Sequence, residues 1–175
     1  MTRRIKGLCW ARVLPARPNG IPASRPRGAK AQGLRYERAL AANLPSATHG
    51  QWFEFCDVNG HGFCQVDLLL PRGEVLVVLE VKYTWTWEAY RQLEELYLPV
   101  VEMALGGAVI GLQVCKRLVP EARSVTICAS LEEAIQEAGE RGEARRSVWH
   151  WLGGHGARDR VRTRIRPWSA SALGL

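Results

Sequence analysis

The chain has 175 residues, of which 47% are hydrophobic and 23% charged, and its formal net charge is +7 at pH 7. This length and composition predict one globular domain with its own core and exclude a wholly disordered chain or a disulfide-dependent miniprotein. No apolar run approaches the roughly 18 residues of a membrane-spanning helix, and no signal-peptide pattern opens the chain.

The cysteines indicate a reducing compartment. There are five of them, an odd number, and none forms a C-x-x-C pair (Cys9, Cys56, Cys64, Cys115, Cys128). Free and mostly buried thiols are typical of the cytoplasm. We therefore expect a cytoplasmic protein with no membrane partner.

Charge is distributed unevenly along the chain. Residues 1–36 carry nine Arg or Lys and no acid, and residues 141–175 carry eight Arg against two acids. The middle, 37–140, holds seven basic and fifteen acidic residues. An acidic body between two basic arms is typical of a metal site in the body with arms that contact a polyanion, the alternative being solvated tails.

The first arm, residues 1–28, is rich in Pro, Gly and Arg, which predicts an extended and largely disordered segment with a short strand between Ile5 and Leu14. A helix is then predicted from Ala29 to Leu44, ahead of Pro45. Glu37 lies on the apolar stripe of this helix. It either pairs with a neighbouring base, Arg38 or Lys30, or reaches a metal site.

Three strands joined by short turns follow and predict an antiparallel meander. They are Trp52–Asp57, Phe63–Leu70 and Glu74–Lys82. A helix is expected from Trp87 to Leu105, with Thr86 as its N-cap.

The next strand, Ala108–Val114, is predicted to lie parallel to its neighbour, because a helical crossover precedes it. A short strand, Val125–Cys128, and a helix opened by the capping box of Ser130 and Glu133 complete the predicted body. The order α-β-β-β-α-β plus a β-α extension predicts an α/β fold with a mixed sheet between helices. The predicted organisation is a basic arm at 1–28, a domain at 29–140 and a second basic arm at 141–175.

The second arm combines arginine with tryptophan. Five of its arginines alternate along one segment, which would align them on one face of an extended chain. The candidate nucleic-acid-binding residues are Arg145, Arg146, Arg158, Arg160, Arg162, Arg164 and Arg166. Trp149, Trp151 and Trp168 either stack on bases beside them or pack back on the body.

Charged side chains interrupt the two most apolar strands. Asp67 lies within Val66–Leu70, and Glu80 and Lys82 end the following strand on one face, because side chains two apart share a face. Buried carboxylates require a partner or a metal ion. The pattern predicts a site that holds a divalent cation beside an anion, the alternative being a structural Glu80–Lys82 ion pair.

These residues and the element order resemble the PD-(D/E)XK nuclease superfamily, whose fold is restriction-endonuclease-like. Asp67 follows Val66 where the family name has Pro, and twelve residues later comes the E-x-K of Glu80-Val81-Lys82. Glu37 matches the acidic residue that many members carry on the preceding helix.

Gln92, on the next helix, resembles the glutamine of the branch that includes lambda exonuclease and RecB-type nucleases. That branch often has Tyr four residues after the Gln. Here position 96 is Leu, and Tyr97 comes one residue later.

The resemblance implies a DNA nuclease that uses Mg²⁺ or Mn²⁺ and leaves 5′-phosphates, serving phage or bacterial recombination, repair or replication. Asp67, Glu80 and the Val81 carbonyl would hold the metal, and Glu37 a second metal or an outer-shell water. Lys82 would stabilise charge, and Gln92 would orient Lys82 or a phosphate. Partners would be DNA, a second copy of the chain or replication and recombination proteins. The alternatives are a dimeric junction resolvase and a catalytically silent DNA-binding protein on the same fold.

Overall fold

The computed structural model describes residues 4–22, 26–141 and 147–153. They form an α/β fold in which helices flank a seven-stranded mixed sheet. The strands are β1 Trp10–Leu14, β2 Thr48–Asp57, β3 Gly60–Arg72, β4 Val75–Thr84, β5 Ala108–Arg117, β6 Thr126–Cys128 and β7 Ser147–His150. The helices are α1 Ala29–Asn43, α2 Trp87–Gln92, α3 Leu98–Leu105 and α4 Leu131–Arg141, with a π-helical turn at Leu93–Tyr97 and a 3-10 turn at Pro120–Ser124.

The sheet order is β1-β2-β3-β4-β5-β7-β6. Strands β1 to β4 are antiparallel to their neighbours, whereas β4, β5, β7 and β6 run parallel. The predicted meander and the parallel strand after the helical crossover are therefore confirmed, as is the α-β-β-β-α-β order from α1 to β5.

Two apolar layers cover the sheet. Alternate residues of β4 belong to different layers, with Val77 and Leu79 packed beneath α1 and α4 and Val78 packed beneath the helix that contains the π turn. This is the two-sided burial expected of a sheet whose strands are apolar without interruption. Glu80 is therefore a charged residue within a buried stretch of β4, since Val81 after it also belongs to the core.

The helix starts follow their predicted caps. Thr86 Oγ1 accepts a hydrogen bond from the Glu88 amide at 3.2 Å. In the predicted capping box, the Glu133 amide donates to Ser130 Oγ at 3.1 Å, and the Ser130 amide donates to a Glu133 carboxylate oxygen at 3.4 Å. Within the residues described, no helix has both the length and the apolar content needed to cross a bilayer.

Part of the N-terminal arm is an edge strand. β1 pairs antiparallel with β2 from Trp10 opposite Cys56 to Leu14 opposite Trp52. The expected short strand is present, and the expectation of a largely disordered arm is wrong for this part. The aromatic strand β2 provides the hydrogen-bonding edge that the Pro-rich composition did not reveal.

The chain after the second gap returns to the core. β7 lies between β5 and β6, and both Trp149 and Trp151 are only 2% exposed. The Tyr36 hydroxyl of α1 donates to the Trp151 carbonyl at 2.6 Å, which ties this segment to the first helix. Base stacking by these two tryptophans is therefore wrong, and packing on the body is confirmed for them.

The other candidates of the second arm lie outside the described residues. They are Arg145, Arg146, Arg158, Arg160, Arg162, Arg164, Arg166 and Trp168.

A π-helical turn interrupts the helix that was predicted to run unbroken from Trp87 to Leu105. The Leu98 amide donates to the Leu93 carbonyl five residues earlier, which accommodates one more residue than an α-helical turn. Such turns are rare and are frequently found at functional sites. This one faces the charged end of β4.

Candidate active site

A fork in the sheet creates the site. β3 and β4 pair from Arg72 opposite Val75 as far as Leu68 opposite Leu79, and the ladder stops there. Continuing that register would place Asp67 opposite Glu80. The two carboxylates therefore occupy the first positions at which the strands are no longer paired, a placement that gives their side chains access to each other.

A second irregularity lies on the other side of Asp67. The β2–β3 ladder includes His49 opposite Leu68 and Gln51 opposite Val66 but omits Gly50, which would face Asp67. Gly50 has φ +69°, in the left-handed region where glycine is favoured. Asp67 thus lies in a break of the backbone ladder on both sides, and its carboxylate replaces part of the missing pairing.

Asp67 makes that replacement bond. Its Oδ2 accepts a hydrogen bond at 2.8 Å from the amide of Val81, the residue whose N–H the fork would otherwise leave unpaired. Burial raises the pKa of Asp67, although the Lys82 charge and this amide act in the opposite direction. The sequence predicts the Val81 carbonyl as a metal ligand; the contact seen in the structure is made by the amide of the same residue.

Glu80 is the most deeply buried acid of the site, with none of its surface exposed. Its Oε1 contacts Lys82 Nζ, and its Oε2 is buried without a hydrogen-bond partner. Burial, followed by the nearby Asp67 carboxylate, raises the pKa of Glu80 well above its ordinary value. A buried carboxylate oxygen without a donor is energetically costly and is a candidate ligand for a cation.

Lys82 is confirmed on the same face as Glu80, as the two-residue spacing predicted. Burial alone lowers the pKa of Lys82, but the charges of Glu80, Asp67 and Glu37 outweigh it and raise the pKa. Lys82 is therefore an ammonium at neutral pH. It can stabilise negative charge and donate hydrogen bonds, whereas it cannot act as a general base in this state.

Glu37 of α1 reaches the same group. Burial and the Asp67 charge raise the pKa of Glu37, and Glu37 and Asp67 line the same cleft. Its Oε1 lies 2.7 Å from His49 Nε2, so its partner is neither Arg38 nor Lys30. Glu37 therefore pairs with a residue at the start of β2 and not with a basic neighbour on its own helix.

Gln92 and Tyr97 form a pair beside the site. The Gln92 side-chain amide donates to the Tyr97 hydroxyl, and Tyr97 is only 4% exposed. Burial, then the charges of Glu80 and Asp67, raises the pKa of that hydroxyl. The π turn contains Tyr97 and adds one residue per turn, so two side chains five apart meet as residues four apart do on an α-helix.

The residues at the fork suit a divalent cation in charge and chemistry. Within the described ranges, no three His, Cys, Asp or Glu side chains converge closely enough to hold a metal unaided. Mg²⁺ does not need such a cage, because it usually takes one or two carboxylates together with waters and substrate phosphate oxygens. Asp67 and the unpartnered oxygen of Glu80 meet that requirement. Glu37 adds a third carboxylate close to Asp67.

The site opens into a cleft of about 880 Å³ between the N-terminal segment, α1 and the ends of β4 and β5. Glu37, Asp67 and Lys82 line it, and so does His49. The cations on its walls are Arg17, Lys30, Arg38 and Arg117. The acidic side chains of Glu37 and Asp67 thus share the cleft with these four basic side chains, which we call its rim.

Sequence reasoning missed His49 and the rim. A single histidine at the start of a strand carries no periodic signal, and the four rim cations come from three separate stretches of sequence. Arg17 was included only in the general charge of the first arm. Tyr97 was noted one residue out of its expected position, and only the π turn explains how it contacts Gln92.

No protein-family model matches this chain, and none of the curated proteins is recognisably similar to it in sequence.

Proposed function

We propose that this protein is a divalent-metal-dependent nuclease that hydrolyses phosphodiester bonds of DNA. Water attacks phosphorus, the bond from phosphorus to the 3′ oxygen breaks, and the products carry a 5′-phosphate and a 3′-hydroxyl. The observation that carries the proposal is the fork of β3 and β4. There a buried Glu80 with an unpartnered oxygen meets Asp67 and an ammonium, Lys82.

Asp67 and Glu80 would hold Mg²⁺ or Mn²⁺, with Glu37 close enough to Asp67 to serve a second ion or a bound water. When bound, the ion lowers the pKa of a coordinated water and offsets the charge that develops on the phosphate. Val81 fixes Asp67 through its amide, which keeps the carboxylate at the fork without recruiting a side chain.

Lys82 supplies the fixed positive charge of the site. Its raised pKa keeps it protonated, and its position beside Glu80 at the cleft wall suits contact with the scissile phosphate. Preorganised charge in a site that excludes water is commonly the largest single contribution to such catalysis. The protein groups therefore act by binding, orientation and charge, and proton removal from the attacking water does not fall to Lys82.

The contact between Gln92 and Tyr97 supports the PD-(D/E)XK resemblance and its restriction-endonuclease-like core. The spacing of these residues departs from the branch pattern by one, and the π turn compensates for that one residue. Their hydrogen bond positions a buried hydroxyl near Glu80 and Asp67. We assign both residues a positioning role behind the carboxylates.

The test is cleavage of labelled single-stranded, duplex and branched DNA with Mg²⁺ or Mn²⁺, against EDTA. We expect metal-dependent products with 5′-phosphates. Asp67→Asn, Glu80→Gln and Lys82→Ala should each lower cleavage by at least about 100-fold, because each removes a group used in the transition state. The control is Glu54→Gln, at an ion pair with Arg12 whose two residues do not line the cleft. Full turnover by Glu80→Gln would exclude this site, and binding without cleavage would indicate a silent DNA-binding protein.

A further inference from the structure

The four cations on the rim of the cleft have no acidic partner within the part of the chain that the structure describes. Arg17, Lys30, Arg38 and Arg117 all line the cleft and are all exposed. Among the residues that the structure describes, no carboxylate forms an ion pair with any of them. Arg12 of β1, by contrast, is paired with Glu54 at 2.5 Å.

Two of the three guanidinium groups among these cations are held in place before any ligand binds. Arg17 lies 5.5 Å from the ring centroid of Trp52 and donates a hydrogen bond to the Pro22 carbonyl. Arg117 lies 5.1 Å from the ring centroid of Tyr83. Stacking restricts the rotamers of a long side chain and leaves its donors available, which reduces the entropy lost on binding a phosphate.

The rim draws on three parts of the chain that surround the carboxylates. Arg17 comes from the N-terminal segment after β1, Lys30 and Arg38 from α1, and Arg117 from the end of β5, where its neighbour in the sheet is Thr84 of β4. A ligand that contacted all four would share the cleft with Asp67 and Lys82, which also line it. It would need several negative charges along its length.

The dimensions favour one strand over two. A volume of about 880 Å³ is within the range of about 300–1,000 Å³ typical of small-ligand pockets. Such a volume accommodates a few nucleotides of one strand, whereas a duplex would bring a second strand and its base pairs into the same space. Tyr83 also presents an aromatic ring in the cleft, beside Lys82.

We propose that the cleft binds a single-stranded segment of nucleic acid, with its phosphates on Arg17, Lys30, Arg38 and Arg117. The N-terminal segment is then a substrate-binding wall of the site, and Arg17 is its contact residue. This inference rests on the proposed function for the choice of DNA as the polyanion. It assigns to that function the form of DNA that reaches the carboxylates.

The test measures binding in EDTA, so that cleavage plays no part. Anisotropy of a labelled single-stranded oligonucleotide, and of the matching blunt duplex, is followed from 50 to 200 mM salt for the full chain and its variants. Arg17→Ala and Arg117→Ala should each weaken single-strand binding about tenfold at low salt, as expected for loss of a charge-assisted hydrogen bond. Each should also reduce the slope of log K against log salt by about 0.7.

Arg12→Ala is the matched control, since it removes an arginine from the same segment that stacks on Trp10 at 5.9 Å but is paired with Glu54. It should leave the slope unchanged. An unchanged slope for Arg17→Ala, or an equal loss with Arg12→Ala, would refute the cleft contacts. Equal losses on single strand and duplex would refute the single-strand assignment. If the variants bind as expected but the wild type does not cleave DNA in Mg²⁺, this inference stands and the proposed nuclease activity is refuted.

Discussion

Replacing Glu80 by glutamine should stabilise the protein in the absence of metal. Glu80 is fully buried, one of its oxygens has no donor, and the neighbouring Asp67 carboxylate raises its pKa further. Glutamine keeps the shape and removes the charge. The cost of an unsatisfied buried acceptor is about 1–3 kcal/mol. For a chain of this size, relief of that cost raises Tm by about 2–12 °C.

The pH dependence has a definite sign. Because folding raises the pKa of Glu80, its contribution to stability is complete below the pKa of the unfolded chain, about 4.3. It is lost as pH rises through the higher pKa of the folded protein. The advantage of Glu80→Gln over the wild type should therefore be small near pH 4 and grow toward neutral pH.

Bound metal should reverse the order of stability and make the wild type more stable than Glu80→Gln. Saturating Mg²⁺ or Mn²⁺ stabilises only the form that binds it, by about 2.7 kcal/mol at 100 times Kd. Urea or thermal unfolding in EDTA and in metal measures both effects. The control is Glu54→Gln, which removes the partner of Arg12 away from the cleft and should change stability by the same amount in EDTA and in metal. Lower stability of Glu80→Gln than wild type in EDTA would refute the reasoning and identify the Glu80–Lys82 contact as a structural ion pair.

Two further predictions concern the helix beside the site and the C-terminal strand. Tyr97→Phe should lower cleavage and cost about 0.5–1.5 kcal/mol of stability, because it removes the hydrogen bond from Gln92. Deletion of Glu94 should convert the π turn to an α-helical turn, keep Tyr97 within reach of Gln92 and retain activity. Loss of folding on that deletion, measured by circular dichroism, would contradict the proposed compensation by the π turn. Trp151→Ala should destabilise the fold by about 3–5 kcal/mol in urea unfolding, because the side chain is buried, and a variant with normal stability and weaker DNA binding would return Trp151 to the set of base-stacking candidates.

Local patterns were sufficient where structure depends on neighbours in sequence. The apolar runs from Phe63 to Lys82 and the turn between them predicted the hairpin of β3 and β4. Thr86 and Ser130 predicted helix starts, because capping bonds span only two or three residues. The edge strand β1 and the interior strand β7 were less visible, since their partners, β2 and β5, are remote in sequence.

The Pro-rich composition of the N-terminal segment indicated disorder, yet its strand pairs with an available edge of the sheet. Arginine and tryptophan near the C-terminus indicated a nucleic-acid-binding arm, yet Trp149 and Trp151 are core residues. In both cases tertiary pairing outweighed composition, because buried apolar area and backbone hydrogen bonds are supplied by partners that composition does not identify.

The sequence by itself determined the class of fold and the identity of the charged residues that end β4, because an acid and a lysine in an otherwise apolar strand stand out against its two-residue alternation. Tertiary structure decided what surrounds them. It opened the strands at Leu68 and Leu79, left one oxygen of Glu80 without a donor, turned Glu37 toward His49, and brought Arg17 to the same cleft as Arg117. These are contacts between residues far apart in the chain, and their formation depends on packing and register that only the complete sheet imposes.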